Sequence, residues 1–133
     1  MAPCTVFVVE DDVDTRDMMG RFLELEGFTV EVAANGKQAL ERLNAGVHPC
    51  VILLDLMMPV MDGWQFAAEL RRHEAWREIP VIVVTAKDLS LEERRTLNGD
   101  VQGVLQKGAL SRTELLREIH DLMATSGRPD SAR

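Results

Sequence analysis

The stretch Val51-Ile52-Leu53-Leu54-Asp55-Leu56-Met57-Met58-Pro59 decides how the chain is read. Four branched aliphatic residues run without interruption into one carboxylate, and the chain then turns at Pro59 and again at Asp62-Gly63. An apolar run with no polar alternation fits a strand covered on both faces, as in a parallel sheet. An aspartate at the end of such a run is costly to bury unless something pairs with it. Asp55 is therefore either a strand end meeting solvent or a reactive carboxylate presented at the mouth of a sheet. What the rest of the chain brings to that place distinguishes the two.

Upstream, Thr5 to Val9 is another short apolar run, ending abruptly in Glu10-Asp11-Asp12. A helix follows, with Met18, Met19, Phe22, Leu23 and Leu25 as its apolar stripe and Gly27 closing it. Phe28 to Ala33 alternates weakly and reads as a second strand. Asn35 is an N-cap for the next helix, with Gln38 at the third helical position. Gly46 and Pro49 then punctuate before the strand at residues 50–54. Downstream, Asp62 can cap a helix carrying Phe66, Ala67 and Leu70, with Trp64 and Trp76 flanking it as partly packed surface residues. Pro80 opens the strand Val81-Ile82-Val83-Val84, which runs into Thr85-Ala86. Ser90 with Glu93, and Ser111 with Glu114, form capping boxes for two more helices. The first of these stops near Asn98-Gly99, and the last carries Leu115, Leu116 and Ile119 inward. Between them lies a brief fifth strand at 103–106, ending at Lys107-Gly108.

Five strands alternating with five helices, with the first, third and fourth strands solidly apolar, predict an α/β domain with helices on both faces of a parallel sheet. At 133 residues the chain is long enough for one such domain, expected over 1–125, with a polar, disordered tail at 126–133. The net charge of −7 argues against a general nucleic-acid surface. No window approaches a membrane span, and the first residues lack the pattern of a secretion signal. Cys4 and Cys50 have no CxxC spacing and no disulfide framework around them, which predicts lone thiols and a reducing cytoplasm. His48, His73 and His120 are scattered without metal-ligand spacing and read as surface residues.

Ligands of open parallel sheets bind beyond the carboxyl ends of the strands. Those ends carry Glu10, Asp11 and Asp12 after strand 1, Asp55 after strand 3, Thr85 after strand 4 and Lys107 after strand 5. Clustered carboxylates repel one another unless a cation joins them, and hard oxygen ligands suit Mg²⁺. A lysine can meet an incoming phosphoryl group as a point charge, and a threonine hydroxyl can hydrogen-bond its oxygens. An aspartate can attack phosphorus to form an aspartyl phosphate.

Taken together, these motifs resemble the receiver domain of bacterial two-component response regulators, over about Thr5 to Met123. The pattern of two acids after strand 1 is met by Val8-Val9-Glu10-Asp11, and the phosphoacceptor motif by Leu54-Asp55-Leu56-Met57-Met58-Pro59-Val60-Met61-Asp62-Gly63. Thr85-Ala86 and Lys107 complete the set. Each piece is weak alone, but four in order are specific. The resemblance implies a flavodoxin-like, doubly wound sheet of order 2-1-3-4-5. It also implies that Asp55 is phosphorylated and that Asp11 binds Mg²⁺ directly. Glu10 would reach the ion through water, and the Met57 carbonyl would be a further ligand. Thr85 and Lys107 would hold the phosphoryl oxygens, helped by the backbone amides of Met57 and Ala86. With three adjacent acids, counting from Arg16 and Asp55 favours Glu10 and Asp11, leaving Asp12 to flank the site or cap the helix.

Two departures from the family pattern stand out. Val104 sits where the family usually has Tyr or Phe, so the usual aromatic switch is weakened or replaced. Gly108 stands where proline after a cis peptide is common. A cis bond before a non-proline residue costs ~2.5–4 kcal/mol, so a trans Lys107-Gly108 peptide is expected. The ending around Lys107-Gly108 and Ser111-Arg112-Thr113-Glu114 looks like receivers of hybrid histidine kinases, and no output domain is expected in this chain.

The function implied is a non-enzymatic phosphoacceptor that takes its phosphoryl group from a histidine kinase or histidine phosphotransfer protein. It would then act on a downstream protein target, without binding nucleic acid. An aspartate-nucleophile phosphatase of another family would place a second acid two residues after the nucleophile, where this chain has Met57. A receiver-like binding module working without phosphorylation would be expected to lack an acid, the aspartate or the lysine.

Overall fold

A computed structural model of the chain describes residues 4–86, 88–97, 100–109 and 111–126. Strands β1 (Thr5–Val9), β2 (Thr29–Ala33), β3 (Val51–Leu54), β4 (Val81–Thr85) and β5 (Gly103–Gln106) alternate with five helices. These are α1 (Val13–Leu25), α2 (Gly36–Asn44), α3 (Gly63–Arg72), α4 (Leu91–Leu97) and α5 (Arg112–Ser126), with a short 3₁₀ turn at Lys107–Ala109. All strand pairs are parallel, in the order β2-β1-β3-β4-β5, as the resemblance implied.

The apolar runs are buried on both sides because successive side chains point to opposite faces. Phe7, Val9, Ile52 and Leu54 face Ala39 and Leu43 of α2 and Phe66, Ala67 and Leu70 of α3. Val6, Val8, Val51, Leu53, Ile82 and Val84 face Met19 and Leu23 of α1 and Leu115, Leu116 and Ile119 of α5. Truncating any of these buried leucines to alanine would cost about 2–5 kcal/mol, a large share of a domain's net stability. Leu56, Val83 of β4 and Leu97 of α4 form a third cluster, with Trp64 and Val104 packed against it.

Helix starts follow local chemistry. Asp12 caps α1 by accepting from the Thr15 amide, and Asn35 caps α2 by accepting from the Gln38 amide. Asp62 and Gln65 make a reciprocal box at α3, as Ser90 and Glu93 do before α4. Gly27, at φ 94°, closes α1, with the Phe28 amide reaching back to the Leu23 carbonyl. The Arg71 guanidinium gathers the loops at the far end of α3, donating to the Arg77, Ile79 and Asp100 carbonyls.

Several expectations need correction. The α1 stripe is narrower than the sequence suggests: Met18 is 39 % exposed and Leu25 71 %, because only the Met19–Leu23 side meets the sheet. Trp76 is buried in the core rather than partly packed. Met58 of the β3–α3 loop is buried in the core, whereas Met57 is exposed. The Lys107-Gly108 peptide is trans, as expected, and His48, His73 and His120 are exposed. The end of α4 at Asn98-Gly99 and the tail from 127 on lie outside the described residues.

The largest correction concerns the cysteines. Cys4 and Cys50 do not stand alone but form a disulfide. Because β1 and β3 are parallel neighbours, the residues that enter them lie side by side, with a Cα–Cα distance of 5.9 Å across 46 residues of sequence. A bridge closing a loop of that length contributes about 2–4 kcal/mol. Reduction should therefore lower the thermal midpoint by roughly 5–15 °C, while a Cys50→Ser chain should melt at one temperature with or without reductant. Equal melting of reduced and oxidised wild type would show that the bridge does not form.

Candidate functional site

The parallel register brings the polar strand ends together. Val9 is paired with Leu54, and the Asp55 amide donates to the Val9 carbonyl at 3.0 Å. Glu10 and Asp55 thus leave the sheet side by side. On the other side β4 ends at Thr85, fully buried and in register with Gln106, so Lys107 follows immediately beyond. One carboxylate oxygen each from Glu10, Asp11 and Asp55 lies within 4.8 Å of the others.

Lys107 enters this acidic group from β5. Its Nζ donates to Glu10 Oε2 at 3.0 Å and stands 2.9 Å from Oε1 and 3.5 Å from Asp55 Oδ2. Glu10 Oε2 also accepts from the Asp12 amide at 3.1 Å, and Asp55 Oδ1 accepts from the Met57 amide at 3.4 Å. Glu10 Oε1 is buried without a hydrogen bond. At 2.9 Å from the Lys107 ammonium, that oxygen is held by the ion pair instead.

Burial dominates the electrostatics. It pushes the Glu10 carboxyl up to about 7, against the lowering effect of its hydrogen bond from Lys107. It likewise raises Asp55, opposed by the charge of Lys107 and aided by the Asp11 carboxyl beside it. Burial would lower the Lys107 ammonium, but its hydrogen bond to Glu10 and the charges of Glu10 and Asp55 outweigh this and raise it. Asp12 behaves differently. Its side chain accepts from the Thr15 hydroxyl and amide, which hold its carboxyl below the usual range. It is engaged as a helix cap, which leaves Glu10 and Asp11 as the acids at the site.

Of the residues singled out in the sequence, Glu10, Asp11, Asp55 and Lys107 converge. Thr85 closes the adjacent strand, and Met57 presents its amide to Asp55 while its side chain is 57 % exposed. Beside them, Leu56, Met57, Met58, Asp62 and Trp64 line a cleft of about 400 Å³. Val104 packs with Leu56, Val83 and Leu97, where it has no ring to swing. Val60 adopts φ 72°, a conformation that β-branched residues rarely accept, at the tip of the β3–α3 loop.

The structure adds a residue whose role the sequence left unassigned. A Cβ on Gly63 would come within 2.5 Å of the Asp55 carbonyl oxygen and 2.7 Å of the Leu56 Cα. Asp62-Gly63 reads as a turn signal, but the glycine serves a close approach: α3 begins directly against the peptide that carries Asp55.

Gly63→Ala should therefore destabilise the fold by about 1–3 kcal/mol, seen as a lower denaturant midpoint. Glu10 makes a pH-dependent contribution of definite sign. Between its ordinary value of 4.5 and about 7, the folded chain holds a proton that the unfolded chain has released. Stability from the neutral form is thus present at low pH and lost as the pH rises to about 7. Glu10→Gln cannot ionise, so its melting temperature should gain on wild type by about 5 °C between these limits and then stay level. A constant difference across that range would contradict the assignment.

Comparison with known proteins places this geometry. The family model described as the response regulator receiver domain matches residues 6–120. Response regulator MprA of Mycolicibacterium vanbaalenii is 32 % identical over 130 residues, covering 98 % of this chain and 54 % of the relative. Transcriptional regulatory protein SrrA of Staphylococcus aureus is 38 % identical over 98 residues, covering 74 % of this chain and 38 % of its own length. The chain thus spans about half or less of these curated relatives. Among solved structures, the chemotaxis protein CheY4 of Vibrio cholerae superposes with a TM-score of 0.83 at 28 % identity, over 90 % of this chain and 98 % of that one. The signal receiver domain of a histidine kinase from Syntrophus aciditrophicus gives 0.81 at 25 % identity, over 92 % and 91 %. The chain belongs to the response regulator receiver domains, which are signalling modules rather than classical enzymes.

Proposed function

We propose that this chain is a phosphoacceptor in a two-component relay and that Asp55 is the residue modified. The observation that carries the reading is the meeting of Glu10, Asp11 and Asp55 with the Lys107 ammonium at one sheet edge. In this reading the ionised Asp55 carboxylate attacks the phosphorus of a partner phosphohistidine. An O–P bond forms as the N–P bond breaks, and the imidazole leaves. Lys107 and the Thr85 hydroxyl, with the Met57 and Ala86 amides, receive the phosphoryl oxygens as charge builds on them. Later attack by water on the acyl phosphate would restore Asp55 and release phosphate.

The acidic cluster suits Mg²⁺. Three carboxylates crowd within reach of one another, and all the side-chain donors are hard oxygens. Glu10, Asp11, Asp55 and the Met57 carbonyl would hold the ion, which supplies positive charge against the phosphoryl oxygens. Lys107 alone leaves the three acids in excess of cation, which favours the same conclusion.

The phosphoryl donor in this reading is a histidine kinase or histidine phosphotransfer protein, and the receiver spans 1–125 in the cytoplasm, where the Cys4–Cys50 bridge would be open to reduction. Phosphorylation adds charge and acceptors at Asp55 and shifts the loops after β3 and β4 and the α4–β5–α5 face toward a state that a downstream protein reads. With Val104 packed against Leu56 and Val83, the shift would travel through aliphatic packing rather than a rotating ring. The net charge of −7 argues against direct nucleic-acid binding. No described helix is long and apolar enough to cross a membrane.

Intact mass measured after incubation with acetyl phosphate and Mg²⁺ should show one added phosphoryl group on wild type and none on Asp55→Asn. Omitting Mg²⁺ or introducing Lys107→Ala should slow addition on the order of 10²-fold. Equal addition to wild type and Asp55→Asn, or none to either, would overturn the reading.

A further inference from the structure

We propose that Arg16, on the first turn of α1, is a positioning residue that holds the Glu10-Asp11 peptide in the orientation the metal site needs. The inference rests on the Mg²⁺ reading above and goes beyond it by naming what keeps the two acids in place.

The sheet accounts for the backbone groups up to Glu10 but no further. The Val9 carbonyl is taken by the Asp55 amide, and the Glu10 amide donates to the Ala33 carbonyl, both at 3.0 Å. The Glu10 carbonyl lies past the end of this ladder. It accepts instead from Arg16 Nη1, at 3.0 Å. That carbonyl belongs to the peptide joining the two acids, one fully buried and the other exposed. The tilt of this peptide sets ψ of Glu10 and φ of Asp11, and through them the directions in which the two carboxylates leave the chain.

Arg16 is well placed to hold it. Its own amide donates to the Asp12 carbonyl at 2.9 Å, inside a helix capped by the Asp12 side chain. The Asp12 amide in turn donates to Glu10 Oε2. The turn from Glu10 to Asp12 is thereby tied to α1 at the Glu10 carbonyl, at the Glu10 carboxylate and at the cap. Without the guanidinium contact, the Glu10-Asp11 peptide would lose a side-chain anchor from the helix. Groups that orient metal ligands from behind change metal affinity about 10–100-fold when removed.

The proposal makes a prediction opposite to simple electrostatics. Removing a cation from the neighbourhood of a divalent-cation site should tighten binding if charge alone mattered. Calorimetric titration of the full chain with MgCl₂ separates the two for wild type, R16M and R16K. R16M keeps the stem but loses the donor and the charge, and should bind Mg²⁺ roughly 10-fold more weakly. R16K keeps a donor and the charge, and should stay within about 2-fold of wild type. Unchanged or tighter binding by R16M overturns the role of Arg16 while leaving the metal reading intact. Should R16M fail to fold, R16K decides the matter alone, since a 10-fold loss there overturns the proposal. Absence of saturable binding by wild type overturns the Mg²⁺ reading itself, and Arg16's role with it.

Discussion

One ammonium held between two buried carboxylates is the contact around which this molecule is arranged. Lys107 stands 2.9 Å from Glu10 and 3.5 Å from Asp55, and both acids are almost wholly removed from water. Burying them costs more than the lysine returns, as their raised proton affinities indicate. The expense is tolerated because the elements behind the site leave the carboxylates little freedom to retreat. Each follows a strand with four fully buried residues, and truncating such a core residue costs several kcal/mol. A stable core thus supports an edge that is locally unfavourable.

This arrangement fits phosphoryl transfer. A site that must accept charge gains from groups fixed in advance, because they need not reorganise as the charge develops. Three hard-oxygen side chains lie close together with one ammonium beside them, which is the arrangement the proposed cation and phosphoryl group would need. The loops around it are held closely too. Gly63 lets α3 start against the Asp55 peptide, and the Gly36 amide donates to the Met61 carbonyl, tying the β3–α3 loop to α2. Val60 holds an unfavourable backbone conformation at the tip of that loop, which calls for support from its neighbours.

Much of this was legible in the residues. Apolar runs such as Val51–Leu54 announce buried parallel strands, and the polar residue after each run marks the functional edge. Caps such as Asp62 with Gln65 announce helix starts, because a short polar side chain satisfies exposed amides within a few residues. These signals are local, so a single sequence carries them. What was misread depends on packing across the chain. Leu25 belongs to an apolar pattern yet faces solvent, because only the Met19–Leu23 side of α1 meets the sheet. Trp76 follows α3 as a flanking residue but folds back into the core.

The sequence by itself determined the class of fold, the strand order through its family resemblance, and the set of side chains that meet at the sheet edge. The reason is that periodicity, caps and strand-end residues are short-range properties, and parallel topology sends every strand end to one side. Only the tertiary structure decided the rest. It joined Cys4 to Cys50, because neighbouring strands can begin far apart in sequence and side by side in space. It set Glu10 against the lysine and Arg16 on the Glu10 carbonyl, and it made Asp12 the cap of α1 where the spacing had left that acid to flank the site or cap the helix. Those pairings follow from distances between elements, which no spacing along the chain encodes.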